Sequence, residues 1–242
     1  DIMRSTVALK GASVEDDSPQ LKKDGSKLVH INNDLQDVLR CLTLIGPCSP
    51  VAVGNWTQLV GPGVPATTSG GIGWNHETAF ARPIKLGDFN TGDAQTLIKD
   101  FLALSPKTRE RLRVPLDRLN RAIRGSNVAD RAIDLGIAFE AILFHGSEDN
   151  NGELAFRLGL RGAWLSGNDA ASRQENYRLL KGIYYLRSKA VHTGGLPAKK
   201  AKEQPLLMER GIRLCSNLLK SIVHGTHWPD NSTEWDKLIF GA

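Results

Sequence analysis

ENYRLLKGIYYLRSKAVHTGG, residues 175–195, is the stretch that decides the fold. Leu180, Tyr184 and Val191 recur at intervals of four and seven residues, which is the period of a buried helical stripe. The pair Gly194-Gly195 supplies the residue type that lets a chain leave a helix through a left-handed cap. The stretch therefore predicts one amphipathic helix that ends at the glycine pair.

The last two turns of this helix carry the two residues best suited to catalysis. Arg187 brings a permanent cation whose fork of donors matches phosphate oxygens. His192 brings an imidazole whose ordinary pKa lies near neutrality, so it can move protons at physiological pH. Five residues correspond to about 140° around an ideal helix. The two side chains share a face only if the last turn is distorted or the imidazole reaches around the helix end.

The sextet from Arg187 to His192 resembles the Arg-x4-His signature of HEPN domains (higher eukaryotes and prokaryotes nucleotide-binding). YYLRSKAVHTGG is similar to the motif helix of the ApeA-like branch of that superfamily. ADRAIDLGIAFEAILF, at Ala129–Phe144, resembles the core helix that precedes the motif in that branch. ELAFRLGLRGAWL, at Glu153–Leu165, resembles the helix between them. The resemblance covers roughly the last 150 of the 242 residues and says little about the first 90.

The resemblance implies a mainly α protein with a HEPN-type helical bundle. It also implies a metal-independent endoribonuclease that acts in antiviral defence or in a toxin system. Two copies of the motif would meet across a homodimer and form one composite site, with Arg187 and His192 as catalytic residues. Ser188 belongs to the same catalytic group and would support these two residues. It stands where Asn, Asp or His is most common in the family, so it keeps a hydroxyl but loses a larger polar group.

Glu140 is an acidic residue in the most apolar predicted helix, and a buried carboxylate requires a cationic partner. The candidates for that partner are Arg157, Arg161 and Arg187. The pair would either orient a neighbouring helix or hold the Arg187 guanidinium in the active site, and the two roles are compatible. In the second role Glu140 belongs to the catalytic group.

Basic residues near the motif are the candidates for RNA binding. Arg157 and Arg161 are four residues apart and share a helical face, which suits either a core ion pair or phosphate binding. The other candidates are Lys189, Lys199 and Lys200. A separate basic helix, Pro106–Arg124, is either a solvated face with local ion pairs or a surface that contacts phosphates.

The chain divides by composition into two parts. Residues 1–90 form a small irregular and β-containing segment, or the end of a larger upstream domain, and residues 91–242 form the helical domain. Glycine and proline punctuate 48–82, which favours short strands and loops after a helix at about 34–44. The helices predicted for the second part, besides the motif helix, are Asp93–Leu104, Pro106–Arg124, Asn127–Phe144, Glu153–Leu165 and Gln204–His224.

The bulk composition is that of an ordinary globular protein with a moderate basic bias. The formal net charge is +5 and the isoelectric point about 9.2, which favours a polyanionic partner such as RNA. Three cysteines without regular spacing argue against a disulfide framework and against a zinc site. We expect a cytoplasmic protein with reduced thiols, no membrane association, no metal and no cofactor.

Two other functions fit the same sequence. The chain could be a non-catalytic RNA-binding or dimerisation module, since fold does not fix function. It could also be a regulatory subunit that binds a partner protein. The first predicts salt-sensitive RNA binding without product, and the second predicts a stable complex and indifference to RNA.

Overall fold

The computed structural model describes residues 33–46, 48–51, 54–58, 69–74, 91–144, 153–198 and 201–241. Most of these residues are helical, which confirms the prediction of a mainly α fold; the HEPN-type arrangement stays a prediction. The elements are α1 (residues 33–41), β1 (Gly54–Gln58), β2 (Ser69–Trp74), α2 (Thr91–Ala103), α3 (Pro106–Arg124), α4 (Val128–Leu143), α5 (Leu154–Ser166), α6 (Ala170–Thr193), α7 (Gln204–Val223) and α8 (Ser232–Phe240).

Side-chain caps fix the N-terminal ends of α3 and α4. The Ser105 side chain accepts a bond from the backbone N–H of Thr108, and Pro106 occupies the first turn of α3, where no backbone donor is needed. The Asn127 side chain accepts from the N–H of Ala129 and starts α4. The predicted bounds of α2 to α5 and of α7 differ from the observed ones by no more than two residues.

Helix α4 is the centre of the bundle, as its apolar sequence predicts. It packs against α3, α5, α6 and α7. Its inward side chains are fully buried, and they share one continuous core with side chains from the neighbouring helices. Those inward residues are Ala132, Leu135, Ala138, Phe139, Ile142 and Leu143.

Helices α5 and α6 approach each other closely because α5 carries two glycines on one face. A Cβ on Gly159 would lie 2.8 Å from a ring carbon of Tyr177, and a Cβ on Gly162 would overlap Leu180. Any larger residue at either position would displace the Tyr177 or Leu180 side chain. The small residues of α5 therefore permit the close approach of α6.

The buried face of α6 differs from the predicted stripe. Leu180 is buried, Tyr184 is only half-buried and Val191 is 50% exposed. The observed face is centred roughly a quarter turn away from the line through those three residues. Leu180 therefore lies at one edge of the true stripe, which consists of Leu179, Leu180, Ile183, Leu186 and Ala190.

The described part of the predicted N-terminal segment shares the core of the helical domain. Cys41 and Leu44 are buried among residues of the later helices, and a 3-10 turn over Leu42–Leu44 contacts α7 and α3. The predicted short strands are present as an antiparallel pair in which Gly54 opposes Trp74 and Asn55 opposes Gly73. Residues 83–90 lie outside the described residues, and a domain boundary at residue 90 stays a prediction.

In the described part of the chain, none of the helices combines the length and the apolar character that crossing a bilayer requires.

Candidate active site on helix α6

Both ends of α6 are fixed by side-chain or backbone caps. The Asp169 carboxylate accepts a bond from the N–H of Ser172, and the N–H of Asp169 donates to the Ser172 hydroxyl, which completes a capping box. Hydrogen bonds from Ser172 lower the pKa of Asp169. At the other end Gly194 adopts φ +68°, and its N–H donates to the carbonyl of Ala190 at 3.1 Å. The predicted left-handed glycine cap is confirmed. The motif residues therefore belong to a regular helix up to its last residue.

Arg187 points inward, toward α4. Its Nη2 donates to Oε2 of Glu140 at 3.2 Å, and the two side chains are 25% and 26% exposed. The arginine stem crosses Gly136 so closely that a Cβ there would lie 2.5 Å from Cγ of Arg187. The guanidinium carbon is 5.8 Å from the centre of the Tyr184 ring. Arg187 is therefore held by an ion pair, a glycine and an aromatic ring.

Glu140 is the acid in the apolar helix, and its predicted need for a cation is met by Arg187 rather than by Arg157 or Arg161. Burial raises the pKa of Glu140, and the Arg187 guanidinium opposes that rise. Nε of Arg187 is buried and has no hydrogen-bond partner among the described residues. The ion pair therefore satisfies only part of the guanidinium, and the arrangement fits both roles that the sequence allowed.

His192 lies on the opposite side of the same helix from Arg187. The imidazole is exposed in the last turn of α6. Because α6 remains helical through Thr193, the distorted last turn is not observed. Helical geometry then separates the two side-chain directions by about 140°. One chain by itself does not place Arg187 and His192 on one helical face.

The remaining motif residues take intermediate or exposed positions. Ser188 is half-buried and Lys189 is exposed. Nζ of Lys189 lies 5.8 Å from the centre of the Tyr185 ring. Lys199 and Lys200, the other two lysines predicted to bind RNA, lie outside the described residues.

Arg157 and Arg161 gather around Phe144, at the C-terminal end of α4. Arg161 is only 6% exposed, and its Nη1 donates to the carbonyl of Leu143 at 2.8 Å. Its guanidinium also lies 5.1 Å from the Trp235 ring and 5.5 Å from the Phe144 ring. Arg157 lies 5.6 Å from the same Phe144 ring. Arg161 fits a packing role that caps the end of α4, and its burial does not suit the predicted RNA contact.

The basic side chains of α3 are mostly held in long-range ion pairs, an arrangement that neither interpretation of its sequence included. Its arginines pair mostly with acids of distant elements, and α3 is thereby fastened to α1, α4 and the segment before α8. Asp37 is fully buried and receives two bonds from Arg113, at 2.8 and 3.0 Å, and one from Arg40 at 3.0 Å. The other pairs are Arg109 with Asp34, Arg111 with Asp230 and Arg118 with Asp134.

Sequence reasoning missed an open cavity of about 550 Å³ between α6 and α7. Tyr185, which is 52% exposed, lines it together with Leu186, Leu206 and Leu207. Tyr185 stands four residues before Lys189 and seven before His192, so helical spacing alone could have placed it beside the motif.

Among the described residues, no three His, Cys, Asp or Glu side chains cluster in a way that could hold a metal ion. Comparisons of the chain with protein-family models, with curated proteins and with solved structures gave no match. The chemistry assigned to the site therefore rests on its geometry and on the resemblance of the motif.

Proposed function

We propose that this protein is a metal-independent endoribonuclease that cleaves RNA at a composite Arg/His site between two copies of the chain. The observation that carries the proposal is that the same end of α6 holds one side chain in a fixed ion pair and another in solvent. Arg187 is anchored by Glu140 and retains partial exposure, and His192 stands in solvent within the last turn. One group is thus held in place and the other is free to meet a substrate.

The chemistry uses the nucleophile that RNA itself provides. The 2′-hydroxyl loses its proton and attacks the adjacent phosphorus, the bond to the 5′-oxygen breaks, and that oxygen takes up a proton. The products are a 2′,3′-cyclic phosphate and a 5′-hydroxyl. His192 moves a proton in this scheme, and Arg187 stabilises the negative charge that develops on the phosphate. Ser188 lies directly beside Arg187 in the sequence and would assist in binding the phosphate.

A second copy of the chain is part of the proposal for a geometric reason. Within one α6 the side chains of Arg187 and His192 diverge by about 140°. A two-fold axis near the end of α6 would bring His192 of one copy toward Arg187 of the other. Oligomers with such an axis are the commonest kind, so the arrangement needs no unusual symmetry.

The biological setting follows from the resemblance alone. Metal-independent ribonucleases with this motif are typical of antiviral defence and of toxin systems, and we propose the same setting here. A cytoplasmic location and a regulatory protein partner belong to the same proposal, since a ribonuclease of this kind must be held inactive until it is needed.

The Glu140–Arg187 pair also favours a second candidate function. A guanidinium that already bonds a carboxylate has fewer donors left for phosphate, and a structural ion pair of this kind would suit a non-catalytic RNA-binding or dimerisation module. That module would bind RNA with strong salt dependence and release no product.

The test is cleavage of single-stranded RNA by the purified chain in excess chelator. We expect His192→Ala to lower the cleavage rate by about 100- to 10,000-fold. His227→Ala is the matched control, since that imidazole is 74% exposed and pairs with Glu234 on the segment around α8. Cleavage by His192→Ala at the rate of the parent would reject the proposed site. Binding without product in the parent would favour the non-catalytic module.

A further inference from the structure

The solvent-facing side of α6 carries an aromatic ring between cations. Lys181, Tyr185, Lys189 and His192 follow one another at intervals of four, four and three residues. On an ideal helix these positions fall within an arc of about 80°, whereas Arg187 lies well outside it. All four side chains are exposed. This side of α6 is therefore a cationic stripe that leads to His192, with Tyr185 at its centre.

The cavity between α6 and α7 opens beside Tyr185. Its volume of about 550 Å³ lies in the range of small-molecule sites. Gly182 contributes no side chain to its wall, and Leu186 and Leu207 make the wall apolar. Leu206, which is 58% exposed, stands at its edge. An exposed phenol ring beside an apolar recess is suited to binding a flat, weakly polar group, because that group is removed from water when it binds.

The charges around the cavity favour a polyanion as the source of that group. Lys181 and Lys189 flank Tyr185 on the exposed side of α6. Among the described lining residues, Arg210 is basic and Glu203 acidic, and Arg210 pairs with Glu175 on α6. The two lysines thus lie where a backbone of phosphates would pass if a base entered the recess. A purely apolar peptide would leave these lysines without a counter-charge.

We infer that the cavity between α6 and α7 binds an unpaired nucleobase of single-stranded RNA, stacked on Tyr185, while Lys181 and Lys189 contact the adjacent phosphates. Aromatic rings interleaved with cations are the common means of holding single-stranded nucleic acid, because every base has a face that stacks. Double-stranded RNA would be excluded, since its bases are already stacked. This inference rests on the proposed function and adds to it the substrate class and a binding subsite beside His192.

The experiment measures the binding of a fluorescein-labelled oligouridine whose 2′-hydroxyls are methylated, so that it cannot be cleaved. Stacking contributes enough that Tyr185→Ala should weaken binding about 5- to 150-fold. Tyr185→Phe keeps the ring and should bind within about twofold of the parent. Phe240→Ala removes an aromatic ring that is 74% exposed on α8 and should also stay within about twofold. Lys189→Ala should reduce the slope of log affinity against log salt by about 0.7.

Three results would overturn the inference, and the first two are distinguishable from failure of the proposed function. If the parent cleaves RNA but Tyr185→Ala binds the oligonucleotide as the parent does, the subsite is wrong and the ribonuclease proposal stands. If light scattering shows that Tyr185→Ala converts a dimer into a monomer, the cavity is an interface between copies and not a base site. If the parent neither binds nor cleaves RNA, the proposed function itself fails and the subsite with it.

Discussion

Oε2 of Glu140 accepts a hydrogen bond from Nη2 of Arg187 at 3.2 Å, and this contact joins the central helix α4 to the motif helix α6. The carboxylate comes from a helix whose inner face is apolar, so the ion pair lies at the border of the core. Its two members respond differently to pH. Arg187 stays charged, and Glu140 gains or loses a proton in a partly desolvated position.

Replacement of Glu140 by glutamine should reveal this titration. Burial raises the pKa of Glu140 above its ordinary value of 4.5, so the folded protein holds that proton more tightly than the unfolded chain does. The resulting stabilisation is complete below about pH 4.5 and is lost as pH rises through the folded pKa. The free energy of unfolding of the parent minus that of Glu140→Gln should therefore fall as the pH rises from below 4.5 through the folded pKa of Glu140. Urea denaturation at several pH values measures it, and a difference that rises with pH would show that attraction to Arg187 outweighs burial.

Replacement of Gly136 by alanine should disturb Arg187 while leaving that residue itself unchanged. The added Cβ would lie 2.5 Å from Cγ and 2.9 Å from Cβ of Arg187, so α4 and α6 must shift apart. We expect a loss of about 1–3 kcal/mol of unfolding free energy and a loss of RNA cleavage. Gly182→Ala in α6 is the matched control for stability only, because Gly182 lines the cavity that we propose to bind RNA. Its Cβ would meet the flexible methyl ends of Leu207 at 3.3 and 3.4 Å, so stability should change by less than about 1 kcal/mol. Equal losses of unfolding free energy in the two variants would contradict this account.

Asp37 should matter far more than its neighbour Asp34. The Asp37 side chain is 1% exposed and accepts bonds from two arginines, whereas Asp34 is 53% exposed and accepts one bond from Arg109. Asp37→Asn leaves the Arg113 guanidinium without its counter-charge, while Arg40 keeps its ion pair with Asp117 at 2.9 Å, and should lower the free energy of unfolding by about 2–3 kcal/mol. Asp34→Asn should lower it by less than about 1 kcal/mol. Urea denaturation of the two variants side by side tests the ranking.

The cysteines should be inert in the folded protein. Cys41, Cys48 and Cys215 are buried free thiols, and burial raises the pKa of each, to about 12 for Cys41. Because the thiolate is the reactive form, reaction with Ellman's reagent should be at least about 100-fold slower in the folded protein than in guanidinium chloride. Unfolding should then release all three thiols. Rapid reaction of any thiol before unfolding would show that its surroundings open readily.

Local chemistry explains how much of the fold the sequence could predict. Ser105 and Asn127 cap α3 and α4, and Gly194 ends α6, and each of these signals acts within a few residues of the chain. The helices could be placed for that reason. The rotation of α6 about its own axis could not, because it depends on where α5 offers small residues. The buried face is consequently displaced from the predicted stripe.

The same distinction applies to the candidate site. The sequence predicts that one of three arginines pairs with Glu140, because a buried acid requires a cation. Which of the three forms the pair depends on how α4, α5 and α6 pack. Arg161 instead bonds the Leu143 carbonyl, a contact that only the approach of α5 to the end of α4 creates. The arginines of α3 pair with acids as far as 119 residues away, which no local pattern predicts.

Because both ends of α6 are capped, the number of residues in the helix matters to the site as much as their identity. Asp169 and Gly194 hold the ends of a 24-residue helix against neighbours that are themselves packed. A single residue inserted between Arg187 and His192 would turn the imidazole by about 100° and advance it by about 1.5 Å. Variation that preserves the relative phase of these two side chains must therefore come from substitution, and any family of sequences that shares this site should show an ungapped stretch there.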